Sequence, residues 1–195
     1  ARSTDGGRTW ETYDLPGADY PRNMIVEPDG GLLFVRALKS DWSGKGDGSP
    51  NLQLCRSQDG KTWKFSEGAI DWDYAGFGEV SAIRLKDGRL LAALRRQLPN
   101  TKGEGFEDTV ITESTDDGKH WSKPRVMVNT AEVHVYLTEL QDGRVLATYS
   151  NYHLPYGAYA IISKDGGKTW DHDHPIRLAA SADLYVGWPV TLQLK

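Results

Sequence analysis

Short apolar runs separated by Asp-Gly pairs recur along the chain. The segments EPDGGLLFV (27–35), LKDGRLLAAL (85–94) and LQDGRVLATY (140–149) each place Asp-Gly between apolar residues. Asp-Gly flanked by such runs is the strongest short indication of a β-hairpin. No segment keeps its apolar residues at the 3.6-residue spacing of a helix. The pattern therefore predicts an all-β protein built from hairpins.

A second motif repeats at a similar spacing. It reads STDGGRTW, SQDGKTW, STDDGKHW and SKDGGKTW, beginning at Ser3, Ser57, Ser114 and Ser163. Each copy, called a box below, has Ser, an Asp two residues later, Gly and a closing Trp. Successive copies begin 54, 57 and 49 residues apart, near the period of ~40 to 50 residues that marks propeller repeats.

Each repeat is predicted to form four short strands. In the second repeat EVSAIRL turns at Asp87-Gly88 into RLLAALR, then DTVITE enters the box and PRVMV leaves it. One four-stranded sheet cannot bury both of its faces, so such units stack around an axis as the blades of a β-propeller. We expect complete blades over 20–67, 77–130 and 132–179, a partial blade over 1–19, and the start of another over 185–195.

The number of predicted blades is smaller than a closed ring requires. Propellers have about 4 to 8 blades, whereas the pattern gives three complete blades and two partial ones. We therefore expect either a longer parent polypeptide or self-association with a second copy to complete the propeller.

Charge and composition narrow the possible partners. The net charge is −4 and no Lys/Arg stripe stands out from the interspersed acidic residues, which argues against a nucleic-acid partner. No apolar run approaches the ~20 residues of a membrane span. The single cysteine, Cys55, excludes an internal disulfide, matches no metal-ligand spacing, and is expected to be a small buried apolar residue. No metal site or cofactor is predicted.

The carboxylates of the boxes are predicted to be structural. A Ser or Asp side chain that accepts backbone N–H bonds can hold a tight turn, Gly supplies the positive φ, and Trp packs under a neighbouring strand. The box carboxylates lie on successive blades and cannot converge on one site; they are Asp5, Asp59, Asp116 and Asp165. We therefore expect any chemistry at the propeller axis.

The four boxes resemble the Asp-box, or BNR, repeats of sialidases (neuraminidases), which are six-bladed propellers; bacterial exo-α-sialidase-like proteins are the most similar group. Sortilin-type receptors also carry the box, but GEVSAIRLKDGRLLAALRR is a sharper match. There Glu79 opens an inner strand and Arg95 closes the next, so an antiparallel hairpin brings both to one end of the blade. A plain cross-strand ion pair on a solvated edge is the alternative interpretation.

The resemblance implies an exo-α-sialidase-type glycoside hydrolase that acts on a terminal acidic sugar, such as a sialoside. Sialidases bind the substrate carboxylate with three arginines, and use a Tyr nucleophile activated by Glu and an Asp as acid/base. The implied catalytic residues are Glu79 and Asp47, with Asp41 as the alternative to Asp47. Asp47 lies in a Gly-rich loop, where it could equally be a turn former. A bacterial sialidase-like protein is expected to be secreted or periplasmic.

Substrate-binding residues follow from aligning the inner strands by their Asp-Gly turns. Pro21-Arg22, Glu79, His134 and Trp188 then occupy equivalent points facing the axis, although such a His is more often a hydrogen-bonded core group. The residues implied to bind substrate are Arg95, Arg22, Arg96, His134, Tyr156 and Trp188.

One end of the third blade is rich in aromatic side chains. Such side chains more often stack on sugar rings or fill the core than act as nucleophiles. Tyr149, Tyr152, His153 and Tyr156 are expected there. Ser150 stands where a third arginine would align, and the resemblance assigns no nucleophilic Tyr. A non-catalytic propeller that binds glycans or a protein partner is therefore the alternative function.

Overall fold

The computed structural model describes residues 1–13, 21–38, 51–70, 77–97, 107–129, 131–184 and 186–194. Within these stretches all regular secondary structure is β, with thirteen strands and no helix. The predicted all-β class is therefore confirmed.

The strands form three sheets that follow one another along the chain. The first sheet has the order β1 (Ile25–Val26), β2 (Leu32–Leu38), β3 (Asn51–Ser57), β4 (Lys64–Ile70) and β8 (His120–Trp121). The second has the order β5 (Phe77–Arg84), β6 (Leu90–Gln97), β7 (Glu107–Ser114) and β9 (Arg125–Val128). The third has the order β10 (Glu132–Glu139), β11 (Val145–Asn151), β12 (Gly157–Ser163) and β13 (Ile176–Ala180). All neighbours are antiparallel except β4 and β8, which are parallel.

Asp-Gly turns join the first two strands of each sheet, as the sequence predicts. In the second sheet Arg84 pairs with Leu90 across the turn. Gly88 has a φ of 90°, and its N–H donates to the Leu85 carbonyl oxygen at 2.8 Å. Glycine adopts this left-handed conformation without the steric cost of a side chain, which is why the turn falls at this pair.

The second sheet buries apolar residues on both faces. Leu90, Ala92 and Leu94 of β6 belong to a core shared with the first sheet, while Leu91 and Ala93 belong to a core shared with the third. Successive side chains of a strand point to opposite faces, so an unbroken apolar run serves both cores. Full burial of one such leucine contributes about 1.5–3 kcal/mol. Three sheets stacked in chain order are successive propeller blades, which confirms the predicted fold class.

The first strands of the sheets lie side by side, and this arrangement positions the site described below. The N–H of Arg22, just before β1, donates to the Val80 carbonyl of β5 at 2.7 Å. β5 in turn packs beside β10. The hydroxyls of Thr138 in β10 and Thr191 lie 2.8 Å apart, which places the segment 186–194 on the far side of β10.

The boxes form turns held by side-chain hydrogen bonds, as predicted. In the third box the Ser114 hydroxyl donates to Asp116 at 2.8 Å and accepts the Gly118 N–H at 2.9 Å. The fourth box repeats the contact from Gly167 to Ser163 at 2.8 Å. The hydrogen bond from the backbone N–H of His120 is the main cause that lowers the pKa of Asp116, and the hydrogen bond from the His120 side chain is the next. The box carboxylate therefore serves to hold the turn.

Box residues also join neighbouring sheets. Trp121 is 2% exposed and lies in the core between the first and second sheets. Gly118 has a φ of 82°, and a Cβ at this position would lie 2.3 Å from Cδ2 of Leu54 in the first sheet. The box therefore needs glycine both for its turn and for close packing. In the first box Trp10 is 62% exposed, unlike the buried Trp121.

Candidate functional site

Glu79 lies at the centre of a polar cluster between the second and third sheets. It stands in β5 and is 8% exposed. Its Oε1 accepts a hydrogen bond from Arg95 Nη1 at 3.2 Å, and its Oε2 lies 2.6 Å from His134 Nδ1. Burial alone would raise the pKa of Glu79, but the His134 hydrogen bond and the charges of Arg95 and Arg22 outweigh burial and lower it. Glu79 is therefore a buried carboxylate engaged at both oxygens.

Arg95 bridges two buried carboxylates. It stands in β6, and its Nη2 lies 2.9 Å from Glu107 Oε1 in β7. Glu107 is 3% exposed. Arg95 and Glu79 do form the cross-strand ion pair that the hairpin predicts, but the pair is buried rather than on a solvated edge. Sequence reasoning missed Glu107, because the register between β6 and β7 depends on a long connection that has no turn motif.

His134 joins the second sheet to the third. It is 3% exposed and has a φ of 57°, in the left-handed region, beside an irregularity in the pairing of β10 with β11. Its Nε2 lies 2.7 Å from the Tyr152 hydroxyl. Burial, supported by the charges of Arg95 and Arg22 and opposed by Glu79, lowers the pKa of His134 from its ordinary 6.5. The imidazole is therefore neutral at neutral pH.

Tyr152 also belongs to this cluster. The sequence analysis placed it among the aromatic side chains at this end of the blade but did not select it as a site residue. It follows β11, and its N–H donates to the Ala131 carbonyl at 2.8 Å. Its ring meets the His134 ring edge-on, with centroids 5.7 Å apart. One feature of the sequence could have identified Tyr152. It lies 18 residues after His134, across a hairpin, much as Arg95 lies 16 residues after Glu79 across the preceding hairpin.

Arg22 and Trp188 complete the cluster. The guanidinium carbon of Arg22 lies 5.5 Å from the Trp188 ring centroid, and its Nη2 donates to the Pro189 carbonyl at 3.3 Å. The Trp188 ring lies 5.4 Å from that of His134. Burial lowers the pKa of Arg22, and its Nε is buried without a hydrogen-bond partner. Within the described residues no carboxylate forms an ion pair with Arg22.

Two further predicted residues, Arg96 and Tyr156, make their described contacts outside this cluster. Arg96 points to the opposite face of the sheet from Arg95 and forms a bidentate ion pair with Asp108. The Tyr156 carbonyl accepts hydrogen bonds from the Arg177 side chain and the Ser181 N–H, at 2.9 and 3.1 Å. Asp47 and Asp41 lie outside the described residues.

One cavity within the described residues lies away from this cluster. A groove of about 590 Å³ lies beside the second box, and its lining includes Glu27, Arg56, Arg84 and Asp117. These charged groups pair with one another: Arg84 contacts Glu27 and Asp117 at 2.7 Å, and Arg56 contacts Asp117 at 2.9 Å. The charged side chains of the groove are therefore paired with one another at the surface. The buried polar groups instead lie around Glu79.

Within the described residues, the cysteine, the possible metal ligands and the helix content indicate no second site. Cys55 is buried in β3, as expected, and burial raises the pKa of its thiol to about 11. In the part of the chain that the structure describes, His, Cys, Asp and Glu side chains form no group of three suited to holding a metal ion. The described residues also contain no helix with the length and apolar character needed to cross a membrane.

Comparison with known proteins agrees with the repeat pattern. A family model described as a BNR repeat-like domain matches residues 24–183, and one described as a BNR/Asp-box repeat matches residues 1–12. A sialidase of Bacteroides fragilis (strain YCH46) is 26% identical over 232 residues, covering 100% of this chain and 41% of the relative. A sialidase of Paraclostridium sordellii is 25% identical over 214 residues, covering 90% and 50%. The chain thus spans half or less of the length of these curated relatives.

A solved structure gives a consistent result. A protein of unknown function from Dyadobacter fermentans DSM 18053 superposes with a TM-score of 0.71 at 26% identity, covering 96% of this chain and 54% of that one. The predicted relationship to the sialidase superfamily is confirmed by the family models and the curated relatives. Because the first family model spans most of the chain, this protein belongs to the BNR repeat-like domain family.

Proposed function

We propose that the protein is a sialidase-like glycoside hydrolase of the exo-α-sialidase type, acting on a terminal acidic sugar at the cluster around Glu79. The observation that carries this proposal is Arg22. Its guanidinium lies at the cluster, next to Trp188, with no ion-pair partner among the described residues. A charged group of this kind is suited to receive the carboxylate of an incoming ligand.

The pairing of the other charged groups supports the use of Arg22 in binding. Arg95 is already shared between Glu79 and Glu107, and His134 is neutral because burial lowers its pKa. Arg22 is therefore the guanidinium of this group that makes no ion pair within the described residues, and its charge remains open to direct contact with a ligand carboxylate. A hydrogen bond to a charged group contributes about 1.5–3 kcal/mol, enough to select acidic over neutral sugars.

Aromatic and acidic residues supply the other roles. Trp188 is 61% exposed, and its face is available for stacking on a sugar ring. Asp47 is the proposed acid that protonates the departing oxygen. Tyr156, which is partly exposed, is proposed to contact a more distant part of the glycan.

Of the two expected ways to complete the propeller, a longer parent polypeptide or a second copy of the chain, we propose here that a second copy packs on the apolar surface exposed at β13 and along 186–194. Leu178 is 51% exposed, Leu192 is 83% exposed and Leu194 is 79% exposed, while the equivalent faces between described sheets are closed. Sedimentation velocity over a range of concentrations is expected to show a dimer that Leu178→Asp weakens. A monomer at every concentration contradicts this assembly.

The test of the proposed function is release of a fluorophore from an aryl α-sialoside by the protein and by Glu79→Gln. We expect turnover by the natural sequence and a loss of at least about 100-fold in the variant, the scale of an acid–base contribution. Binding of the sialoside without turnover would support the non-catalytic glycan-binding alternative instead. The matched control is Glu67→Gln, which changes an exposed residue of β4.

A further inference from the structure

Three side chains form a continuous hydrogen-bonded chain from the interior to the partly exposed end of the cluster. Glu79 Oε2 lies 2.6 Å from His134 Nδ1, and His134 Nε2 lies 2.7 Å from the Tyr152 hydroxyl. Glu79 is 8% exposed and His134 is 3% exposed, whereas Tyr152 is half-buried. Tyr152 is therefore the member that a ligand can reach.

The direction of the hydrogen bonds follows from what each group can donate. An ionised carboxylate only accepts, so the proton between Glu79 and His134 belongs to Nδ1. A neutral imidazole has one donor and one acceptor, which leaves Nε2 as the acceptor for the Tyr152 O–H. The arrangement thus presents a base to the phenol and a carboxylate behind that base.

The backbone holds His134 in an unusual conformation. Its φ is 57° and that of Ala131, three residues earlier, is 65°. The N–H of Ala131 donates to the Glu107 carbonyl at 2.6 Å, and its carbonyl accepts the Tyr152 N–H at 2.8 Å. A left-handed conformation of a residue other than glycine is strained and is concentrated at functional sites. The Ala131 contacts tie the backbone of Tyr152 to the start of the strand that carries His134.

The sialidase resemblance implies a carboxylate that activates the nucleophilic tyrosine directly, and here the geometry differs. Both oxygens of Glu79 are engaged, by Arg95 and by His134. The atom in contact with the Tyr152 hydroxyl is an imidazole nitrogen of His134. A histidine thus stands between the carboxylate and the phenol.

We propose that Tyr152 is the nucleophile of the proposed hydrolase, that His134 receives its proton, and that Glu79 positions His134. This inference rests on the proposed function. As the Tyr152 oxygen bonds to the anomeric carbon, the glycosidic C–O bond breaks and the Tyr152 proton moves to Nε2. The departing oxygen keeps the bonding pair and takes a proton from a carboxylic acid, the role proposed for Asp47.

The second half of the reaction restores all groups. Water gives one proton to the Asp47 carboxylate and bonds through its oxygen to the anomeric carbon. As that bond forms, the bond between the anomeric carbon and the Tyr152 oxygen breaks, and the Tyr152 oxygen keeps the electron pair and recovers its proton from His134. During the intermediate stage the imidazolium is stabilised by the charge of Glu79, as in other nucleophile–histidine–carboxylate arrangements.

The first test does not depend on turnover. Long-range ¹⁵N–¹H NMR of the protein at pH 7 is expected to show His134 as the Nδ1–H tautomer, with an Nε2 shift that moves in Tyr152→Phe. Tyr159→Phe is the matched control, since its hydroxyl donates to the Pro155 carbonyl at 3.0 Å outside the cluster. An Nε2–H tautomer, or no response to Tyr152→Phe, overturns the relay.

The second test separates the relay from the proposed function. With an aryl sialoside, Tyr152→Phe and His134→Gln are each expected to lower kcat at least about 100-fold with little change in KM. A fluorinated sialosyl substrate whose covalent intermediate breaks down slowly is expected to label the peptide that contains Tyr152. Retained turnover in Tyr152→Phe, or label on another residue, overturns the nucleophile assignment alone. Lack of turnover by the natural protein contradicts both the proposed function and the nucleophile assignment. The NMR test still shows whether the hydrogen-bonded chain from Glu79 through His134 to Tyr152 is present.

Discussion

The carboxylate of Glu79 on the second sheet and the imidazole of His134 on the third meet at 2.6 Å between Oε2 and Nδ1. The contact joins two blades that also share an apolar core and other hydrogen bonds, such as the one that the Leu137 N–H donates to the Ser81 hydroxyl at 2.9 Å. Because both groups are buried, neither can replace its partner with bulk water. The geometry of the cluster therefore depends on how the two sheets stack, and its polar groups contribute to that stacking.

Glu79→Gln is expected to destabilise the fold as well as reduce turnover. The amide keeps the shape of the side chain but removes the charge that faces Arg95, and it turns one acceptor into a donor. Leaving a buried group without a suitable partner costs about 1–3 kcal/mol. Urea unfolding is expected to show a loss in this range. A loss below about 0.5 kcal/mol, as expected for the exposed control Glu67→Gln, contradicts the buried network.

His134 is expected to make stability depend on pH below about its ordinary pKa of 6.5, because burial lowers that pKa in the folded protein. Well above 6.5 neither the folded nor the unfolded state binds this proton, so the free energy of unfolding does not depend on it. As the pH falls below 6.5 the unfolded chain binds the proton first, and the free energy of unfolding decreases. The decrease continues until the pH passes the folded pKa.

The measurement is urea unfolding of the natural protein and of His134→Gln at pH 7.5, 6.5, 5.5 and 5.0. Subtracting the two series cancels the other histidines. The difference between the two free energies of unfolding is expected to fall only slightly between pH 7.5 and 6.5 and then to fall more steeply, since one unit of pKa shift corresponds to about 1.4 kcal/mol. A difference that rises on acidification contradicts a neutral buried His134. Glu79, whose pKa is also lowered, loses its contribution only below about its ordinary 4.5 and so does not affect this range.

Gly118→Ala tests whether the box joins neighbouring sheets. The added Cβ would lie 2.3 Å from Leu54 Cδ2, and the backbone φ is 82°. Gly143→Ala is the matched control, because Gly143 has a φ of 87° with no atom within 4 Å of an added Cβ. Both variants lose about 1 kcal/mol from the left-handed backbone, and Gly118→Ala is expected to lose at least a further ~1–3 kcal/mol from overpacking. Equal unfolding free energies for the two variants contradict the close contact.

The fold was predictable because it rests on local rules repeated several times. The Asp-Gly turn at Gly88 needs only a residue that adopts a positive φ. Ser114 and Asp116 form the hydrogen bonds that hold the turn in which they lie. Such interactions lie within a few residues of each other, so a sequence pattern contains them. The apolar run of β6 likewise predicts burial on both faces.

The candidate site was predictable only where hairpin geometry sets it. Glu79 and Arg95 meet because one turn fixes their register, and the alignment of inner strands brings His134, Arg22 and Trp188 toward them. Glu107 enters through a strand whose register no turn motif fixes. Tyr152 contacts His134 through a left-handed backbone conformation at His134, which an apolar–polar pattern does not encode.

The central claim is that the cluster around Glu79 recognises the carboxylate of an acidic sugar through Arg22. The measurement is the ratio of kcat/KM for an aryl sialoside to that for the same glycoside with the carboxylate replaced by hydroxymethyl, in the natural protein and in Arg22→Ala. Loss of one charged hydrogen bond of about 1.5–3 kcal/mol is expected to lower this ratio by roughly 10- to 150-fold in the variant, while Arg144→Ala, an exposed turn residue, leaves the ratio unchanged. A ratio that is the same in the natural protein and in Arg22→Ala contradicts the claim.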